Sequence, residues 1–192
     1  MLTQKRLGDL VKIQMGYSYR NSIPECLDDD AMNLLQVKDI DEQGIIDLKK
    51  MNKTLHKDLK DFFLTEGDLI FRSRGPFFML SEFPQYEAKT IFLAPLFRFT
   101  LIDDCISPAY LQWYINRAAS QVILNRLSEG SMVKMITKST LEDLMIPIPS
   151  RSVQDNIVHL HKLALREKQL ADSVFELRKR LIESIFSDLN QS

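Results

Sequence analysis

The last forty residues constrain this chain more than any other part. From Val153 to Leu189 apolar side chains recur at helical spacing with no Gly or Pro among them. Leu163, Leu170, Val174, Leu177 and Leu181 are separated by seven, four, three and four residues, and Ile185 follows four further on. This is close to a heptad seam. An unbroken helix over this stretch has about 38 residues and a length of roughly 57 Å. The ~150 residues before it fold to a diameter nearer ~35 Å. A helix of that length extends past such a domain, and its apolar stripe needs a partner. The pattern is that of a device holding one thing at a fixed distance from another.

Bulk properties narrow the class. A chain of 192 residues allows one domain with a real core plus an appendage. Hydrophobic residues make up 45%, ordinary for a globular protein, and no run of 18 apolar residues exists to span a membrane. The opening MLTQKRLGDLVKIQ lacks the apolar core of a signal peptide. Cys26 and Cys105 fit no metal spacing, and a reducing cytoplasm is the simplest reading. His56, His159 and His161 form no ligand cluster. With 25 basic and 26 acidic side chains the net charge is −1. That balance neither announces a nucleic-acid binder nor excludes one, because it says nothing about clustering in space.

Residues 1–149 read as an α+β domain, and 150–192 as the long helix. Leu7, Leu10, Val11 and Ile13 lead to a turn at Gly16, followed by Tyr17-Ser18-Tyr19-Arg20. Short strands are expected at Asn33–Ile40, Ile45–Leu48, Leu69–Phe71, Phe77–Leu80, Thr90–Ala94 and Leu96–Leu101, with turns at 41–44 and 65–68. This spacing suggests a twisted, partly rolled sheet rather than βαβ units. Ser107-Pro108 is an N-cap and first-turn signal, and Tyr110, Leu111, Tyr114, Ile115, Ala118, Val122 and Ile123 predict one helix from Pro108 to about Leu127. Gly130-Ser131 breaks it. A short helix over Thr137–Leu144 is capped by Thr137 or Ser139. Ile146-Pro147-Ile148-Pro149 must be extended.

Taken in order, these landmarks resemble the specificity (S) subunit of type I restriction–modification enzymes. The matching pieces are Leu7-Gly8-Asp9-Leu10, Gly16 to Arg20, Val37-Lys38-Asp39-Ile40 with Gly44, and Gly67-Asp68-Leu69-Ile70-Phe71 with Arg72 and Gly75. They continue through Pro108–Ile115, Gly130-Ser131 and Leu141–Pro149 to Gln154 and Ile157, covering essentially the whole chain. The resemblance implies a target recognition domain followed by a long helix that serves as dimerisation element and spacer. It implies a non-catalytic subunit that directs methyltransferase subunits, and restriction subunits where these join, to a bipartite site in double-stranded DNA. A full S subunit carries two recognition domains whose helices pair antiparallel. This chain has one of each, so the expected assembly is a homodimer through Leu163, Leu170, Val174, Leu177, Leu181 and Ile185. A naturally short form, a truncation product and a relative with another use all fit that length.

Candidate DNA contacts follow from the basic and aromatic residues near glycine turns. Arg72 and Arg74 leave a buried strand beside Gly75-Pro76 and can grip phosphate or guanine; a solvated or salt-bridged pair is the alternative. Tyr17, Tyr19 and Arg20 sit beside Gly16, with one tyrosine expected in the core. Lys38 belongs to the Val37-Lys38-Asp39 piece. Ser131, Lys134 and Lys138 follow the Gly130 break, where amides and lysines can seat phosphate or simply start a helix. The acidic run Asp28-Asp29-Asp30 reads as a solvated loop rather than a metal site. No catalytic residue, cofactor site or metal site is expected: neither a glycine-rich cofactor loop nor an Asn-Pro-Pro-Tyr type run occurs. A protein-interaction module of the same fold that no longer reads DNA is the alternative function.

Overall fold

The computed structural model describes residues 3–19, 31–54, 59–130 and 132–189. It divides into two compact units, residues 1–151 and 152–192. In chain order the first unit contains β1 (Thr3–Arg6), α1 (Leu7–Leu10), β2 (Val11–Met15), β3 (Met32–Leu35), β4 (Asn52–Thr54), β5 (Leu69–Arg72), β6 (Leu80–Glu82), β7 (Thr90–Phe92) and β8 (Leu96–Leu101). Helices α2 (Pro108–Asn116), α3 (Ala118–Leu127) and α4 (Lys138–Glu142), then β9 (Met145–Ile148), complete it, and α5 spans Arg151–Leu189. The fold is α+β, as its sequence predicts, and the strands among the described residues are shared among three small sheets. These are the pair β1-β9, the antiparallel sheet β2-β8-β5-β6, and the sheet β4-β3-β7, in which β3 and β7 run parallel.

Burial explains the division. Every residue of β3 is buried, as are Leu69, Ile70 and Phe71 of β5, because each strand is central and covered on both faces. The main core joins the four-stranded sheet to the three-stranded one through Leu35, Ile40, Ile70, Phe83, Phe92 and Leu96. A second cluster, Leu34, Leu59, Ile91 and Leu93, carries the rings of Tyr17 and Tyr19 on its edge.

Four expectations are corrected. The strand expected over Asn33–Ile40 stops at Leu35. The Asp39 carboxylate accepts the Gln36 N–H at 2.8 Å, the Asp39 N–H donates to the Gln36 carbonyl at 3.0 Å in return, and Val37–Asp39 becomes a 3-10 turn. Ile45–Leu48 forms no strand, only a single bridge from Ile46 to Ile40. Around that bridge the Asp47 N–H donates to the Asp39 carbonyl and the Asp41 N–H to the Ile45 carbonyl, but the Asp41 carboxylate takes the N–H groups of Gln43 and Ile45, and Asp47 takes that of Lys49, so the pairing goes no further. The strand placed at Phe77–Leu80 begins only at Leu80. Most consequential, the single helix over Pro108–Leu127 is two helices. Arg117 is extended (φ −64°, ψ 148°) and ends α2. The break points two side-chain amides at the free edge of β6. Asn116 accepts the Leu80 N–H and donates to the Leu80 carbonyl, both at 2.8 Å. Gln121 accepts the Phe78 N–H at 3.1 Å and donates to the Phe78 carbonyl at 2.9 Å.

Capping follows the sequence closely. Ser107 accepts the Tyr110 N–H, and Thr137 rather than Ser139 caps α4. The proline strap pairs as β9 with β1, a strand with no sequence signal of its own, in the register Thr3 to Ile148 and Arg6 to Met145. Lys5 of β1 also pairs with Asp103 in the turn after β8. That ammonium holds the Asp103 carboxyl well below the usual carboxylate range, helped by the Cys105 N–H at 2.8 Å. A lowered folded pKa stabilises the fold above the unfolded value of about 4 and loses that contribution as pH falls below it. Thermal melts of wild type and Asp103→Asn should therefore differ at neutral pH, and the gap should begin to narrow as pH falls below about 4, closing only as pH falls through the lowered folded value. A gap as wide at pH 3 as at pH 7 would contradict the assignment.

Candidate nucleic-acid interface

Gly16 makes the first wall of the site possible. A Cβ there would stand 2.4 Å from the Leu93 carbonyl carbon. Without one, the Gly16 N–H reaches the Leu96 carbonyl at 2.8 Å, and Tyr17 exchanges backbone hydrogen bonds with Phe92 and Ala94. The segment is thereby laid along the loop after β7, whose Ala94–Pro95 peptide is cis. The Tyr17 and Tyr19 rings meet edge to face at 5.1 Å, and Tyr17 packs likewise on Phe62 at 5.4 Å. Both tyrosines are half-buried, so neither is the fully buried core residue expected of one of them.

Opposite them stand Lys38 and Arg72. The exposed Lys38 ammonium donates to the Asn52 Oδ1 at 2.6 Å. Asp39, directly after it, is buried, and desolvation pushes its carboxyl up against the opposing pull of the Gln36 N–H. Arg72 leaves the end of β5 and is braced by the backbone: Nη1 donates to the Ile40 carbonyl at 2.7 Å and Nε to the Arg74 carbonyl at 3.2 Å. Gly75 admits the guanidinium, since a Cβ there would lie 2.9 Å from Nη2. Two of five N–H donors are thus used to fix the plane, and three remain. Tyr17, Tyr19, Lys38 and Arg72, with Gln36, Val37 and residues 93–95, line one open hollow of about 550 Å³.

The turn after Arg72 leads to a second hollow of about 430 Å³, lined by Gly75, Pro76, Asn125, Met132, Val133 and Lys134. The two segments are stitched together. The Gly75 N–H donates to the Lys134 carbonyl at 3.0 Å, the Ile136 N–H to the Ser73 carbonyl at 2.9 Å, and Arg74 bridges to Met135. Arg74 is exposed. Lys134 donates to the Asn125 Oδ1 at 3.2 Å. Lys138, on α4, has the Glu142 carboxylate 3.6 Å away and lines neither hollow.

Of the nine residues singled out in the sequence, four share the first hollow, and Lys134 lines the second, with Arg74 on the turn between. Arg20 and Ser131 lie outside the described residues, as do Asp28-Asp29-Asp30, Cys26 and His56. Gln36 is the lining residue that sequence reading passes over. Its one signal is a polar side chain at the end of an apolar strand. Among the described residues no group of three His, Cys, Asp or Glu side chains is arranged to hold a metal ion. No described helix is long and apolar enough to cross a membrane.

Residues 2–165 match the model of the type I restriction modification DNA specificity domain. This chain belongs to that family. Among solved structures, the S subunit of a type I restriction-modification system from M. genitalium is 15% identical, with a TM-score of 0.57 over 90% of this chain and 40% of that one. The HsdS subunit from Thermoanaerobacter tengcongensis is 18% identical, with a TM-score of 0.60 over 86% and 37%. A chain from a structure of the assembly and conformational transition of the type I R-M system is 16% identical, with a TM-score of 0.57 over 92% and 43%. At these identities the likeness is one of fold. The specificity domain described here spans about two fifths of the length of each of those chains. No curated protein matches it.

Proposed function

We propose that this specificity domain is a non-catalytic DNA reader that brings a methyltransferase, and where present a restriction subunit, to a bipartite target. The observation that supports it best is the first hollow. Residues from three separate segments converge there as two tyrosine rings, an ammonium and a guanidinium held in a fixed plane. A braced guanidinium suits bidentate recognition of guanine, and an amide such as that of Gln36 suits adenine. Lysines hydrogen-bonded to neutral side-chain oxygens, as Lys38 and Lys134 are, can exchange that oxygen for a phosphate without breaking an ion pair to it. The reading is tested by co-purification with a candidate methyltransferase subunit, then methylation of a random duplex library. Indiscriminate or absent methylation by a complex that does assemble would favour the interaction-module alternative.

The individual charges separate by effect. Replacing Arg72 or Arg74 with alanine is expected to relax preference at one base position, costing about 1–3 kcal/mol there. Replacing Lys134 should weaken all sequences alike and lower the salt slope by about one. Lys138 already faces Glu142, so its loss should change the slope less. Binding titrations of the assembled complex at two salt concentrations check this ranking. Unchanged affinity and specificity in an Arg20/Arg72/Arg74 triple alanine variant that remains folded would overturn the face.

Two copies paired through α5 would present identical domains related by a two-fold axis. The target is then expected to be an interrupted palindrome, its spacer set by helix length. Sequencing the methylated library decides this, and an asymmetric site from a homodimeric complex would rule it out.

A further inference from the structure

Met132 is 95% exposed, and its neighbour Val133 is about half exposed. An apolar side chain so placed normally reflects a loop free to move, yet this loop is closed at its base. Glu129 and Met135 exchange both backbone hydrogen bonds at 2.9 Å, and Lys134 and Ile136 are bonded to the Ser73–Gly75 turn. Gly130 (φ +102°) makes the closure tight: a Cβ there would lie 2.5 Å from the Val133 carbonyl oxygen. Met132 and Val133 thus face water beyond that closure, and two exposed cations, Arg74 and Lys134, are carried on the bridged segments beside them.

We infer that the Met132 side chain is a wedge that enters a DNA groove and separates two stacked base pairs, with the Arg74 guanidinium beside it and Lys134 on a flanking phosphate. The inference rests on the DNA-reading proposal and deepens it. Its physics is direct. A positive pair favours a polyanion over an apolar protein surface, and an unbranched thioether is narrow and flexible enough to slide between base steps. Apolar wedges of this kind kink a duplex by roughly 20–90° and make binding depend on how easily the wedged step unstacks. Specificity would then arise at a step where no polar group of the protein touches a base.

The experiment uses the full chain, with any methyltransferase subunit that co-purifies, and the duplex selected from the random library. 2-Aminopurine is placed at successive steps across the half-site. One step is expected to brighten several-fold on binding. Met132→Ala should return that step to the level of free duplex, whereas Met132→Leu should keep it bright. Because Met132 is exposed, neither substitution removes core packing, and equal melting temperatures would confirm that both variants are folded. Selective binding with no bright step, or with brightness unchanged in Met132→Ala, overturns the wedge and leaves the DNA reader standing. Met132→Ala releasing the methyltransferase while the bright step persists also overturns it, and assigns the tip to protein docking. Absence of any selective binding by the wild type overturns both readings.

Discussion

Glutamate in place of both Leu170 and Leu177 is expected to convert a two-chain assembly into single chains at tens of micromolar. Along α5, Leu163, Leu170, Val174, Leu177, Leu181 and Ile185 stand 45–63% exposed at heptad spacing. A stripe of this kind on a helix of 39 residues is stabilised by covering it. Burying a leucine contributes about 1.5–3 kcal/mol, and in a symmetric pair each substitution appears twice. Four lost leucines amount to roughly 6–12 kcal/mol, or at least about four orders of magnitude in the dissociation constant. Sedimentation velocity of wild type and variant measures this directly. A wild type that sediments as a monomer would end the homodimer proposal, unless a methyltransferase subunit supplies the covering surface.

A comparably large effect is expected inside the domain. Asn116→Ala with Gln121→Ala should lower the melting temperature by about 8–16 °C. The substitutions orphan the N–H and carbonyl of Leu80 and of Phe78, both fully buried. Each orphaned buried group costs about 1–3 kcal/mol, so four cost roughly 4 kcal/mol or more, at about 2–4 °C per kcal/mol for a chain this size. Asn116→Asp keeps the acceptor and loses the donor, so it should fall between. A double variant melting within about 2 °C of wild type would show that water replaces the amides freely.

These two amides also mark the limit of what the sequence discloses. Periodicity identifies α5, the caps at Ser107 and Thr137, and β5 and β8, because those signals are local. It runs Pro108 to Leu127 together because nothing between Asn116 and Ala118 forbids a helix. The break comes from a distant strand edge that needs hydrogen bonds. Ile45–Leu48 stops at a single bridge to Ile40 because the Asp41 carboxylate claims the Ile45 amide and Asp47 that of Lys49. In the candidate site, Tyr17, Lys38 and Arg72 were legible as residue types beside turns. That they line one hollow was not, since it depends on the close passage of Gly16 over Leu93. Gln36 escaped because one polar side chain at the end of an apolar strand is too weak a signal to mark a site.

The pairing of β1 with β9 has a consequence for how such a domain changes over time. Thr3 lies across from Ile148, so the chain enters and leaves the fold at one place. Everything that lines the two hollows is strung between those neighbouring strands. A different segment, ending in strands that pair the same way, could take its place without altering what comes before or after. Exchange of the whole interior in one recombination step would then alter both hollows while leaving α5 untouched.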